Sequence, residues 1–425
     1  MKNQVKKSRA LSGFPEWLPE QELVQQELIA TIRRSFGLHG YVPLTTRSVE
    51  PLSALLSKGG DTDKEIYVLK RIHDPPERPA ELGLHFDLTV PFARFVSENR
   101  GRLSFPFRRY QVQPAWRGER PQMGRYREFI QADLDIIGAE NLHVRHDGEV
   151  VRLLAHTMAQ LPVPRVRVGV NNRKVLEGAY RSLGVEDVIG TLRAVDKIDK
   201  AGRDKVAEML TAQGLSATQV DGVLSLTEPG AIELSFDHPL FVEGLRELHA
   251  VLEACDDVED VVADLRIARG LDYYTGTVME GVFPDHPQCS TVCSGGRYDD
   301  LAGGAKVKLP GVGASIGVTR IMGYLQNLGL MPERAGSTAT VLVVVHSEET
   351  RRDSEEVARA LRARGVGALV CHKAWGYGKQ IRWADNNGIP YVWLPTRDGG
   401  VHEVKDIRSG QQAAADPASW SPSEG

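Results

Sequence analysis

The stretch WRGERPQMGRYREF, residues 116–129, sets the strongest local constraint on this chain. It crowds Arg117, Arg120, Arg125 and Arg127 beside Glu119 and Glu128. Pro121 and Gly124 fall midway, which rules out one continuous helix. The flanking runs FRRYQVQPAW and FIQADLDIIG read as strands. The spacing therefore predicts a β-hairpin with a long, charged loop.

Around that hairpin the sequence alternates strand and helix signals. PEQELVQQELIATIRRSFGLHGY reads as an opening helix, with Leu28, Ile32 and Phe36 at four-residue spacing and Gly37 and Gly40 as the stop. Residues from about 185 to 258 are helical and charged without strong strands, and read as a helical insertion. GLMPERAGST, 329–338, is a Pro/Gly/Ser-rich break and the expected domain boundary. Beyond it TVLVVVH is a continuous apolar strand of the kind buried on both faces. Strands and helices then alternate, which predicts a doubly wound α/β domain. The expected fold class is thus α+β: a catalytic-sized domain over 1–330 and a smaller α/β domain over 331–425. The ends, MKNQVKKSRALSG and AAADPASWSPSEG, read as a loose arm and a frayed tail.

Composition narrows the function. The chain has 425 residues and a formal net charge of -4, so no overall basic field gathers nucleic acid. Any phosphate binding must come from local arginines. Cys255, Cys289, Cys293 and Cys371 are too few and scattered for a disulfide framework, and a cytoplasmic setting is expected. His286, Cys289 and Cys293 suggest a metal, but no second pair follows at finger spacing, so packing is the reading adopted. No run approaches the roughly 20 apolar residues of a membrane span.

Five clusters carry chemistry. In the hairpin, guanidinium groups suit bidentate bonds to phosphate oxygens. Phe129 can face a flat ring and Glu119 can accept from an exocyclic amine, a set that suits a nucleoside triphosphate; a salt-bridged solvated loop is the plainer alternative. ARGLDYYTGTVME, 268–280, sets Arg269 before Tyr273 and Tyr274, which in a strand would face opposite sides. CSGGRYDDL, 293–301, has two glycines that allow close backbone approach but not the spacing of nucleotide loops. PGVGASIGVTRIM, 310–322, puts Arg320 at the head of a buried helix. Lastly, Asp87 lies in HFDLTVP, and Gln131 and Asp135 share a strand face with Asp133. Polar residues on one face of an apolar strand fit a small polar ligand or a satisfied buried network.

Together these stretches resemble the class II aminoacyl-tRNA synthetases, and the histidyl enzymes among them. WRGERPQMGRYREFIQADLD is similar to class II motif 2, and GASIGVTRIM to motif 3. RGLDYYTG and SGGRYDDL look like the two histidyl signatures. GKQIRWADNNGIPYVWLP with VHEVKDIRSGQQ resembles the anticodon-binding domain. The resemblance runs from about residue 12 to 420.

The resemblance implies a histidine–tRNA ligase. Histidine is activated by ATP to histidyl-adenylate and passed to the 3′ end of histidine tRNA. The substrates are L-histidine, ATP with Mg²⁺, and the tRNA; the Mg²⁺ ligands are not identifiable. The implied catalytic set is Arg117, Arg269 and Gln131. Arg117, Glu119, Arg125, Phe129, Arg269 and Arg320 would hold ATP. Asp87, Leu88, Thr89, Gln131, Asp135, Tyr273 and Tyr274 would hold histidine, with Asp135 and Tyr274 reading the imidazole. Arg120 and Gln122 would meet the tRNA acceptor end. Arg351, Arg352, Lys373, Lys379 and Arg382 are candidate RNA contacts in the last domain, with solvated salt bridges equally open. The family also implies a homodimer.

Two positions depart from the pattern. Arg47 stands where motif 1 carries proline, and Thr319 where motif 3 carries glutamate. The alternatives are a paralogue that activates histidine or a related amino acid without charging tRNA, and a non-catalytic histidine or tRNA sensor.

Overall fold

The central strands are long because alternation and pairing agree over their whole length. The structure, a computed structural model, describes residues 10–56, 65–268, 274–299, 308–333, 336–396 and 400–423. The chain divides into two compact units, Met1–Glu16 with Gln25–Met331, and Trp17–Val24 with Pro332–Gly425.

α1 (Pro19–Leu38), which belongs to the larger unit from Gln25 on, buries Leu28, Ile32 and Phe36, the residues its spacing singled out. Next come β1 (Val42–Pro43), β2 (Val49–Pro51), α2 (Leu52–Leu55), β3 (Val68–Leu69), β4 (Leu82–Leu84) and α3 (Thr89–Asn99). The hairpin strands are β5 (Phe107–Trp116) and β6 (Glu128–Ile137), ten residues each. They pair antiparallel from Phe107 opposite Ile137 to Trp116 opposite Glu128. After α4 (Arg145–Ala159), β7 (Arg167–Asn172) and α5 (Arg173–Ser182), four helices follow without a strand: α6 (Val188–Val195), α7 (Ile198–Ala201), α8 (Arg203–Ala212) and α9 (Ala217–Ser225). α10 (Pro239–Glu253) packs back on α5, α4 and β7, so the freestanding part of the helical stretch is α6–α9. β8 (Val261–Ala263), β9 (Thr277–Val282), β10 (Cys293–Tyr298), β11 (Gly311–Gly317) and α11 (Val318–Leu328) complete the unit.

The main sheet has the order β1-β5-β6-β11-β10-β9-β7-β8. It is antiparallel from β5 to β7; β1 and β8 join its edges in parallel. Along β6 the pleat sends Ala132, Leu134 and Ile136, all wholly buried, to one face. Gln131, Asp133 and Asp135 go to the other. A charged face in mid-sheet is the feature that positions the site.

In the smaller unit, β12 (Val341–Val343) lies between and parallel to β13 (Ala368–Val370) and β14 (Tyr391–Leu394). α12 (Arg351–Ala363) and α13 (Tyr377–Asn386) supply the crossovers. β15 (Glu403–Asp406) and β16 (Gln412–Ala414) extend the sheet antiparallel. Val341, Val343 and Trp393 pack into one core, Leu342 and Val392 into a second, so the sheet is covered on both faces.

The C-terminal tail is not frayed. The ring of Trp420 packs 5.6 Å from that of Trp393 and 5.2 Å from that of Tyr391. Arg364 donates to the carbonyls of Pro417, Ser419 and Trp420. One large aromatic ring can bury enough surface to anchor an otherwise polar segment. Among the described residues, no helix is long and apolar enough to cross a membrane, no three His, Cys, Asp or Glu side chains cluster as metal ligands, and all four cysteines are free and buried.

Candidate active site

The loop of the hairpin does not float in solvent. Gly124, with φ +70°, sits so close to α11 that an added Cβ would lie 2.3 Å from the Tyr324 ring. Arg320 donates from Nε to the Gly124 carbonyl at 2.9 Å and from Nη1 to that of Thr291 at 2.7 Å. The arginine at the head of α11 thus holds the loop down.

Between loop and sheet lies a cavity lined by Arg117, Glu119, Arg125, Phe129, Gln131 and Arg320 among others. Arg117 donates to the Phe86 carbonyl at 3.0 Å, and its guanidinium stands 5.1 Å from the Phe129 ring centre. Arg125 pairs with Glu119 at 3.2 Å. Burial draws the Arg320 pKa below its usual value, and Arg117 and Arg125 push the same way. Three guanidinium groups held close against their mutual repulsion make a site that favours a polyanion.

A second cavity has a carboxylate floor of Asp87, Asp133 and Asp135, with Thr89, Tyr274 and Tyr298 also lining it. Arg117, Gln131, Ser294 and Ser315 line both cavities. Asp135 is held from two sides. Arg109, wholly buried on β5, reaches Asp135 Oδ2 at 2.7 Å, and the Tyr298 hydroxyl donates to Oδ1 at 2.8 Å. Arg109 also lies 4.1 Å over the Phe92 ring. Gly313 of β11 faces Asp135 across the ladder, and a Cβ there would fall 2.1 Å from Asp135 Oδ1. Gly313→Ala is therefore expected to displace the carboxylate at a cost on the order of 2 kcal/mol. An unchanged melting midpoint in that variant would contradict the packing.

The arginine-lined cavity and the carboxylate-floored one thus share a wall of four residues. The model of the histidyl-tRNA synthetase family matches residues 13–321. The chain belongs to the histidyl-tRNA synthetase family. It is 46% identical over 446 residues to the histidine–tRNA ligase of Micrococcus luteus, covering 98% of this chain and 97% of that one. To the histidine–tRNA ligase of Thermobifida fusca it is 46% identical over 426 residues, with 96% and 97% covered. The crystal structure of histidyl-tRNA synthetase from Nostoc sp. PCC 7120 superposes with a TM-score of 0.87 at 29% identity, covering 97% of each chain. The fold is accordingly the class II core with a separate C-terminal sheet domain.

The residues singled out from sequence as synthetase site residues distribute unevenly. Arg117, Glu119, Arg125, Phe129, Gln131 and Arg320 converge on the first cavity, and Asp87, Thr89, Gln131, Asp135 and Tyr274 on the second. Asp87 Oδ1 also accepts from the Val90 amide at the start of α3. Leu88 differs from expectation: its side chain is wholly buried in the core and lines neither cavity. Tyr274 precedes β9, so alternation along a strand does not orient it. Arg120 and Gln122 are exposed on the loop and line neither cavity. Arg269 and Tyr273 lie outside the described residues.

Both departures from the family pattern acquire partners. The Thr319 hydroxyl, buried, accepts from the Ile130 amide at 2.8 Å and ties α11 to β6 beside Gln131. Arg47 pairs at 2.9 Å with Glu50, a wholly buried carboxylate also held by Arg94 at 2.8 Å.

Sequence reasoning missed Arg109 and Tyr298 and left Asp133 without a role. Only the β5–β6 register, Arg109 opposite Asp135, discloses the pair. Burial raises the Asp133 carboxyl to about 7 and that of Asp135 to about 6, with Arg109 opposing the rise in each case. A carboxyl whose folded pKa lies above its unfolded value binds more protons when folded. Stability therefore falls as pH rises from about 4 to 7, with the full penalty above that window. Asp133→Asn removes this penalty. The ligand-free variant is expected to exceed wild type by on the order of 3 kcal/mol at pH 8 and to match it near pH 4. Thermal melts at the two pH values test this; a constant difference between them would contradict it.

Proposed function

We propose that this chain is a histidine–tRNA ligase that forms histidyl-adenylate from L-histidine and ATP and transfers the histidyl group to the 3′ end of histidine tRNA. The observation that carries the reading is the wall shared by the two cavities. Arg117 borders both the arginine-lined cavity and the carboxylate-floored one. An α-amino acid in the second therefore presents its carboxylate to a triphosphate in the first across one guanidinium.

In the first step a histidine carboxylate oxygen bonds to the α-phosphorus. The bond from that phosphorus to the bridging oxygen breaks, and pyrophosphate leaves with the electron pair. The carboxylate is ionised at neutral pH and needs no general base. What the protein supplies is alignment and charge: Arg117 at the α-phosphate, Arg125 and Arg320 along the triphosphate, Glu119 and Phe129 on the adenine. Arg269 is assigned to the α-phosphate by family pattern, with Tyr273 beside the imidazole. Asp87, Thr89 and Gln131 take the α-ammonium end, and Asp135 with Tyr274 the ring. In the second step a ribose hydroxyl of tRNA attacks the acyl carbon, AMP leaves, and the hydroxyl proton is released.

Mg²⁺ enters with ATP. Glu119 is the one carboxylate bordering the nucleotide cavity among the described residues, and it is already paired with Arg125. Such a lining does not amount to an all-protein cation site, and no step is routed through the ion. Arg120 and Gln122, exposed on the loop, are proposed to meet the acceptor end. The smaller unit is proposed to bind the anticodon. There Lys379 Nζ lies 4.2 Å and Lys373 Nζ 5.8 Å from the Trp375 ring centre, a basic and aromatic surface suited to bases. Arg351 and Arg352 are paired with Glu348 and Glu356, which lessens their claim. A homodimer in the cytoplasm completes the proposal.

The test is ATP–pyrophosphate exchange with each amino acid in turn. Exchange driven by histidine at least 10³-fold better than by the others is expected, since a site bonding polar atoms strongly rejects ligands that lack them. Exchange driven equally by another amino acid would overturn the assignment.

A further inference from the structure

Asp133 is a fully buried carboxyl on the floor of the amino-acid cavity to which the roles above assign nothing. It lies on β6 between Gln131 and Asp135, on the same face as both. The Ser315 hydroxyl bonds its carboxylate and also accepts from Gln131 Nε2 at 2.8 Å. Gln131, Ser315 and Asp133 therefore form one connected set. Two acceptors of that set, Gln131 Oε1 and Asp133 Oδ1, are buried without a hydrogen-bond partner. Asp135 differs, because one of its oxygens accepts from the Tyr298 hydroxyl and the other is ion-paired with Arg109.

Buried acceptors without donors cost stability, so their presence in a cavity marks a place that a donor-bearing ligand fills. The chemistry of that ligand can be narrowed. An imidazole offers at most one N–H at each nitrogen, whereas an ammonium offers three and carries a full charge. Two open acceptors lining one cavity from the same strand face fit the ammonium. The cavity favours a cation as well, with three carboxyls, Asp87, Asp133 and Asp135, against two guanidinium groups, Arg109 on Asp135 and Arg117 at the wall shared with the arginine-lined cavity.

We propose that Asp133 is a further amino-acid-binding residue, its open Oδ1 accepting from the α-ammonium of bound histidine beside Gln131 Oε1. The proposal rests on the reading of this cavity as the histidine site. It gives a reason for a carboxyl that burial alone would disfavour: the bound ammonium supplies the missing donor and the compensating charge.

The test compares wild type with Asp133→Asn in histidine-dependent pyrophosphate exchange. Two inhibitors accompany it: histidinol, which keeps the amine, and imidazolepropionate, which lacks it. The variant is expected to raise the KM for histidine and the Ki for histidinol by about 10²-fold, the loss typical of a charged buried bond. The KM for ATP and the Ki for imidazolepropionate are expected to stay within about twofold, a split that general damage to the fold would not produce. Ser315→Ala, which frees the carboxylate without removing it, is expected to shift the same two constants by a smaller factor. An unchanged histidine KM in Asp133→Asn would overturn the proposal, as would equal losses for histidinol and imidazolepropionate. Absence of histidine-dependent exchange in wild type would instead remove the parent reading, so the two failures are distinguishable.

Discussion

Arg117→Ala is expected to lower kcat for histidine-dependent pyrophosphate exchange by about 10³-fold, roughly 4 kcal/mol of transition-state stabilisation. The argument is positional. Arg117 borders both cavities, so its guanidinium lies where carboxylate and phosphate must meet. Its protein contacts are modest by comparison, one bond to the Phe86 carbonyl and a face-on approach to Phe129. Losing them is expected to cost about 1 kcal/mol of stability. A large kinetic loss with a small change in melting is thus the signature. Arg117→Lys is expected to recover little, because a point charge does not reproduce the planar fork. A tenfold or smaller loss in the alanine variant would remove Arg117 from the reaction.

The second large effect concerns stability. From sequence alone, Asp135→Ala is expected to damage histidine activation much more than the fold. The buried pair with Arg109 changes that expectation. Removing Asp135 leaves a wholly buried guanidinium without its carboxylate, and removing Arg109 leaves the converse. Each single alanine variant is expected to lose about 3–5 kcal/mol. Replacing both, as Arg109→Met with Asp135→Leu, is expected to restore most of the stability, since apolar side chains of similar size can stand in for a buried ion pair. It is not expected to restore histidine activation. Chemical denaturation of wild type and the three variants reads the coupling. Additive losses in the double variant would show that the pair is not coupled.

A milder effect is expected at Gly124. Its Cβ has no room beside Tyr324 and its φ is positive, so Gly124→Ala must lift the loop from α11. A misplacement of about 1 Å there is expected to cost about 10²-fold in exchange. Wild-type exchange in that variant would show that docking of the loop is not required.

The legible parts of this molecule are those whose signals are local. Pro121 and Gly124 between two alternating runs were enough for the hairpin, and period two was enough to set Gln131, Asp133 and Asp135 on one face. The apolar run TVLVVVH disclosed a strand covered on both sides, borne out by the separate cores behind Leu342 and Val343. What escaped depends on pairing between distant segments. Arg108 and Arg109 look alike in FRRYQV, yet the register sends Arg109 to Asp135 while Arg108 pairs with Glu149 on α4. Trp420 sits in a polar tail, and nothing nearby in sequence names Trp393 as its partner. Leu88, which the family resemblance implies at the histidine site, has an apolar side chain that the core takes.

The central claim is transfer of histidine to RNA, and charging tests it most directly. Purified chain, ATP, Mg²⁺ and labelled histidine are incubated with histidine tRNA, and acid-precipitable label is counted. Label that accumulates on histidine tRNA, and not on a tRNA for another amino acid, is the predicted result. Pyrophosphate exchange without label on any tRNA would contradict it and point to a paralogue that activates histidine for another acceptor.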